Sequence, residues 1–130
     1  VKDVRIGDWH RPWNNKGDRK TDGAPPSALW ATEKGGFDQV GCVYTAQGFE
    51  YDWSGVILGP DLLFRDGKLV IDRTANKDPD LRKQMSDDEA AALIRNIYKV
   101  LLTRGMRGTI VYSTDEETQA FLTTLIYGTH

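Results

Sequence analysis

The sequence predicts an α/β domain with a mainly parallel sheet covered by helices. Three observations carry this. Val56-Ile57-Leu58 and Thr109-Ile110-Val111-Tyr112 are short continuous runs of strand-forming residues, the pattern of strands buried on both faces. A helical apolar stripe lies between them and a second helical segment follows. Strands alternating with helices in this way give parallel pairing through crossover connections.

Residues 1–36 read as an irregular N-terminal segment, with Val4-Arg5-Ile6 as a short strand. The stretch 14–26 is rich in Asn, Gly, Asp, Lys and Pro and reads as a long exposed loop. Trp9, Trp13 and Trp30 flank it. Packing onto the core is the first expectation for them, and a stacking surface for a nucleic-acid base is the second. The α/β core is expected over 37–130, within a single domain over 1–130. Val40-Gly41-Cys42-Val43-Tyr44 is predicted as a short strand, and 45–50 as a turn or a single helical turn around Gly48. Gly59-Pro60 stops the run at 56–58. Leu62-Leu63-Phe64 and Leu69-Val70-Ile71, joined through Asp66-Gly67, form an inserted β-hairpin, because the Asp-Gly pair supplies the positive φ of a tight turn. Residues 72–85, highly charged and containing Pro79, are expected to form a mobile charged loop.

Ser86-Asp87-Asp88-Glu89 is a capping box, Ser at the cap and Glu three residues later. It opens a predicted helix of about 18 residues. Ala90, Leu93, Ile94, Ile97, Val100 and Leu101 form its buried stripe, and Gly105 stops it. Thr114 with Glu117 repeats the box, and the last helix runs to Tyr127, with Gly128 ending it.

Composition narrows the function classes. The chain has 130 residues, 39% hydrophobic and 28% charged, with 17 basic and 19 acidic residues for a net charge of −2. That is an ordinary globular balance, and a whole-surface nucleic-acid magnet is excluded. The lone Cys42 forms no internal disulfide and no cysteine-based zinc site, and His10 and His130 are too far apart in sequence to suggest a metal pair. No apolar run approaches the roughly 20 residues that span a bilayer. No signal-peptide pattern is present, so a cytoplasmic, reducing setting with no membrane partner is expected. The chain opens at Val1 on a strand-like pattern and reads as a piece of something longer.

No phosphate-cradling G-x-x-x-x-G-K-[ST] occurs, since Gly67-Lys68 continues into Leu69 within the hairpin. Dinucleotide and nucleophile-elbow signatures are absent too. A hydrolase set of Asp8, His10 and Asp52 has nothing beyond residue types to recommend it.

Two segments stand out. Cys42-Val43-Tyr44-Thr45-Ala46-Gln47-Gly48-Phe49-Glu50 resembles the fifth motif of superfamily-one helicases, a T-x-H-x-[SA]-[QK]-G-x-E-F stretch. Asn96-Ile97-Tyr98-Lys99-Val100-Leu101-Leu102-Thr103-Arg104-Gly105 resembles their sixth, the ALTRA box. The two in order are more specific than either alone. The wider chain resembles the C-terminal half of the bacterial Schlafen-group-3-like DNA/RNA helicase domain family. Further residues carry that likeness: Ile6-Gly7-Asp8, Pro12-Trp13-Asn14, Ser27-Ala28-Leu29-Trp30, Gln39-Val40-Gly41-Cys42 and Val56 to Leu62.

The resemblance implies the second RecA-like domain of a nucleic-acid-dependent ATPase or helicase. ATP and magnesium would be held with an N-terminal P-loop domain of the same protein, and DNA or RNA would be the polymer partner. Arg104 falls on the motif-six arginine that reaches the γ-phosphate as a catalytic finger. Glu50 falls on the motif-five glutamate that contacts the ribose, and Gln47 and Gly48 on the [QK]-G step. Cys42, Tyr44 and Thr45 lie where the motif contacts or supports the nucleic-acid backbone, with Cys42 and Tyr44 replacing the usual Thr and His. A guanidinium meets the spread charge of a transferring phosphoryl with parallel donors, and such a finger is worth roughly 10³–10⁵ in rate. By itself this piece is expected to bind no cofactor and hydrolyse nothing.

The residues also support other roles. Arg104 at a helix C-terminus favours the helix dipole without further function. Glu50 can be a solvated turn residue or an ion-pair partner of Arg104, and Arg107 is an alternative finger. Lys99 and Arg95 read as the exposed helix face. The competing class is a non-catalytic nucleic-acid or protein-binding module with a vestigial ATP edge.

Overall fold

The computed structural model describes residues 4–16, 23–76, 78, 81 and 84–128. The chain divides into two compact units, Val1–Tyr51 and Asp52–His130.

In the first unit, β1 (Val4–Ile6) pairs antiparallel with β2 (Trp9–Arg11), Ile6 opposite Trp9 across a Gly7-Asp8 turn. Two short 3₁₀ turns follow, Ser27–Leu29 and Gly36–Asp38. Trp30 organises this unit. Its Nε1 donates to the Gln39 carbonyl at 3.4 Å, and its ring meets Tyr51 edge-on at 6.3 Å. The same ring lies so close to Gly41 that any side chain there would collide with it. Trp9 and Trp13, by contrast, remain 41% and 39% exposed, so they are only partly packed.

The strand expected over 40–44 does not form. Val40 makes one isolated parallel bridge to Trp13, and the chain then turns into α1 (Val43–Ala46), a single helical turn capped at Cys42. The reason is local. The Thr45 hydroxyl accepts from the Cys42 N–H at 3.0 Å, which diverts that N–H from any ladder.

In the second unit, β3 (Tyr51–Leu58) pairs with β6 (Gly105–Ser113). The Thr114 N–H donates to the Leu58 carbonyl, so the carboxyl ends of the two strands meet and the pair is parallel. The crossover contains α2 (Asp87–Leu102) and also the hairpin of β4 (Leu62–Arg65) and β5 (Lys68–Ile71). Asp66 (φ 50°) and Gly67 (φ 76°) make the hairpin's two-residue turn as the Asp-Gly signal predicts. The mixed α/β class therefore holds, but the parallel sheet is small. Its two strands are accompanied by two antiparallel pairs among the described residues.

The core gathers Val56, Leu58, Leu62, Leu81, Ile94 and Tyr98. Helix α2 buries Ala90, Ile94 and Tyr98, with Ile97 and Leu101 beside them, while Leu93 of the expected stripe is exposed. Tyr98, outside the expected stripe, is buried instead, and its hydroxyl has polar partners there, described below. Strand β6 is not buried on both faces. Ile110 is 68% exposed, and Met106 and Tyr112 are exposed with it. Ile110 and Tyr112 alternate with the less exposed Val111 and Ser113, so one face of the strand lies open.

The reciprocal capping box of α2 is present, Glu89 N–H to Ser86 Oγ and Ser86 N–H to Glu89 Oε2, both 3.1 Å. Helix α3 (Glu116–Tyr127) is capped one residue later than expected. Asp115, not Thr114, accepts from Thr118 N–H at 2.9 Å. A carboxylate outcompetes the neighbouring hydroxyl for that position. Gly128 ends the helix as expected. Phe121 of α3 stacks on Phe64 of β4 at 3.9 Å, fixing helix to hairpin.

The charged stretch 72–85 is anchored where it is described. Arg73, in the 3₁₀ turn Arg73–Ala75, donates to the carbonyls of Leu81 and Met85 at 2.8 Å each, and Leu81 is buried in the core. Pro79 lies outside the described residues.

Candidate functional site

The motif-five segment occupies α1 and the turn after it, in the first unit. Asn14 is the hub of this region. Its Oδ1 accepts from the Cys42 N–H at 3.2 Å and from the Thr45 hydroxyl at 3.4 Å, while its own N–H donates to the Val40 carbonyl. Thr45 is buried, with its hydroxyl also reaching the Cys42 carbonyl at 3.0 Å, and Cys42 is half-buried. Of the three residues nominated for nucleic-acid contact, Tyr44 presents an exposed side chain. Sequence reasoning did not nominate Asn14 for a role, although the Pro12-Trp13-Asn14 step was already part of the family likeness.

Gln47 ends α1, its N–H bonded to the Val43 carbonyl, and is exposed. Gly48 follows with φ 84° and open space where a side chain would stand. That left-handed turn requires glycine or a strained substitute, and it leaves the backbone open to close approach. Glu50, exposed, is the residue before β3.

In the second unit Arg104 sits between α2 and β6, the residue before Gly105. It is half-buried. Its Nε donates to the Val100 carbonyl at 3.1 Å and its Nη2 to the Thr103 hydroxyl at 3.1 Å. These bonds set a cation against the negative end of the helix, at a Val100 carbonyl that also accepts from the Thr103 N–H and hydroxyl. Among the described residues no carboxylate pairs with it, and Nη1 is left free. Arg107, Lys99 and Arg95 are exposed.

Two further polar networks lie in this unit. Asp61 is buried. Its Oδ1 accepts from the Tyr98 hydroxyl at 2.5 Å and its Oδ2 from Asn76 Nδ2 at 2.7 Å. The Gly59 N–H in turn donates to the Tyr98 oxygen at 3.1 Å. Burial, and then the Asp61 carboxylate, push the Tyr98 phenol well above its usual range. Arg65 meets Asp115 with two parallel bonds, 2.7 and 2.6 Å, and Glu117 at 3.3 Å. The Arg65 hydrogen bonds, with those from Thr118, hold the Asp115 carboxyl well below the ordinary carboxylate range. Both networks are internally satisfied, and both brace the turns that follow β3 and β6.

A groove of about 520 Å³ opens between the end of β6 and α3, lined by Tyr112, Ser113, Thr114, Gln119, Thr123 and Thr124. Glu116 also lines it, and the first turn of α3 is acidic, so it repels phosphate. Among the described residues no cluster of His, Cys, Asp or Glu is arranged to hold a metal ion. Asp8 is an exposed turn residue, His10 an exposed residue of β2, and Asp52 an exposed residue of β3.

The chain belongs to the Schlafen group 3, DNA/RNA helicase domain family, which matches it over residues 1–115. It is also similar to an uncharacterised protein of the yeast Saccharomyces cerevisiae, YPL245W, at 35% identity over 103 residues, covering 68% of this chain and 21% of that protein. The chain spans about a fifth of that protein's length. No solved structure matches the chain. No helix among the described residues is long and apolar enough to cross a membrane.

Proposed function

We propose that this chain is the second, RecA-like half of a nucleic-acid-dependent ATPase of helicase type, acting on ATP and magnesium held by a P-loop domain elsewhere in the same protein. The family membership supports the nucleic-acid side of this reading. The observation that carries the ATPase side is Arg104. A helix fixed in the core delivers it to a strand junction, half-buried at its root, with no carboxylate partner among the described residues and Nη1 unused. Its two bonds to the helix end hold the guanidinium plane in place, so Nη1 and a released Nη2 are the donors for a γ-phosphate. Gln47, Gly48 and Glu50 form an exposed turn suited to a nucleoside, the glycine admitting the ligand to the backbone and Glu50 accepting from ribose hydroxyls.

The test belongs to the full-length protein. Arg104→Ala should lower nucleic-acid-stimulated turnover by roughly 10³-fold or more while leaving ATP affinity nearly intact. Arg104→Lys should recover only part of it, because an ammonium lacks the paired donors. Turnover that survives Arg104→Ala would refute the finger.

Two observations favour a second reading, a binding module with a vestigial ATP edge. Arg104 already serves its own helix end, and Thr45 is committed to the Cys42 cap. On that reading the full-length protein binds nucleic acid or protein and shows no stimulated turnover.

A further inference from the structure

The β1–β2 hairpin is the surface that the motif residues leave unexplained. All three residues of β2 are exposed, Trp9 at 41%. Side chains alternate along a strand, so Trp9 and Arg11 share one face. There the Arg11 guanidinium lies 5.7 Å from the Trp9 ring centroid. Arg5, paired with His10 in the register, lies on the opposite face. Among the described residues neither Arg5 nor Arg11 meets a carboxylate. The first 20 positions of the sequence hold six Lys or Arg against three Asp, a charge of +3, in a chain whose net charge is −2. The remainder therefore carries −5. This stretch, positive in a chain that is negative overall, thus carries a partly exposed tryptophan.

We propose that the Trp9–Arg11 face of this hairpin is a contact surface for single-stranded nucleic acid. A base stacks on the Trp9 indole and the Arg11 guanidinium meets the adjoining phosphate. Every base has a π-face, so such a platform tolerates sequence. An acidic peptide would use the charge and gain little from the ring, which is why the indole beside the guanidinium favours nucleic acid. The proposal rests on the nucleic-acid reading above and assigns it a site outside the motif-five segment.

The experiment titrates the 130-residue chain against fluorescein-labelled oligo-dT and oligo-U at several salt concentrations, following anisotropy and tryptophan quenching. Trp9→Ala should weaken binding about tenfold, and Trp9→Phe should retain most of the affinity. Arg11→Ala should reduce the slope of log affinity against log salt by about 0.7, one phosphate's worth for a single strand, whereas Arg5→Ala should leave the slope nearly unchanged. Circular dichroism checks that each variant is folded. Wild-type binding that is indifferent to Trp9→Ala and Arg11→Ala overturns the hairpin site while sparing the nucleic-acid reading. Failure of the wild type to bind either oligonucleotide overturns both. Equal displacement by polyglutamate, with Trp9→Ala unaffected, makes the face an acidic-peptide surface and overturns the proposal.

Discussion

Asp61 and Asp115 are both turn carboxylates satisfied inside the protein, by opposite means. Asp115 faces a cation. Its carboxyl is depressed by the Arg65 bonds and by the two donors of Thr118, so it stabilises the fold fully above the ordinary aspartate pKa of about 3.9. That contribution should disappear as the pH falls from there toward the depressed value. Urea melts over this acid range should show a shallower loss of stability in Asp115→Asn than in the wild type. Asp61 has no cation among the described residues, and two neutral donors compensate its burial. Tyr98→Phe removes the shorter of these bonds and leaves a buried acceptor underused, so it should cost about 1–3 kcal/mol in urea unfolding. A wild-type unfolding free energy in that variant would show that the phenol contributes packing alone.

Elements were legible in the sequence where their determinants are local. The α2 cap is a four-residue signal, and Ser86 and Glu89 make both of its bonds. Ser86→Ala should therefore cost about 1 kcal/mol, measurable as a lowered urea midpoint with an unchanged m-value. The β4–β5 turn was legible for the same reason. The misreadings have non-local causes. Val40 reads as strand, but its partner Trp13 is far away in sequence and supplies a single bridge, while the Thr45 hydroxyl redirects the next residues into α1. The stripe on α2 missed Tyr98, whose buried hydroxyl is met by Asp61 and Gly59, partners that no periodicity reveals. In the candidate site the motif residues were legible as a pattern. The half-burial of Arg104, its bonds to its own helix end and the Asn14 hub follow from folding and were not.

At the scale of the whole molecule, the chain is two compact units within a family described as a helicase domain, and it corresponds to about a fifth of its yeast relative. A nucleotide site completed by a P-loop domain should be nearly silent here. Ligand at a concentration equal to its Kd stabilises by only about 0.4 kcal/mol, and ATP with magnesium should not reach even that at millimolar levels. Differential scanning fluorimetry of the 130-residue chain should show no resolvable shift in Tm. A rise of several degrees would place a complete nucleotide site within these residues and overturn the half-site reading.

The Asp61 side chain joins the turn after β3, helix α2 and the segment after β5, while its carbonyl accepts the Asp72 N–H and its Tyr98 partner accepts the Gly59 N–H. Two amide protons distant in sequence are thus shielded by one residue and its immediate partner. In deuterium exchange they should be released in the same cooperative opening, and Asp61→Asn should accelerate both together.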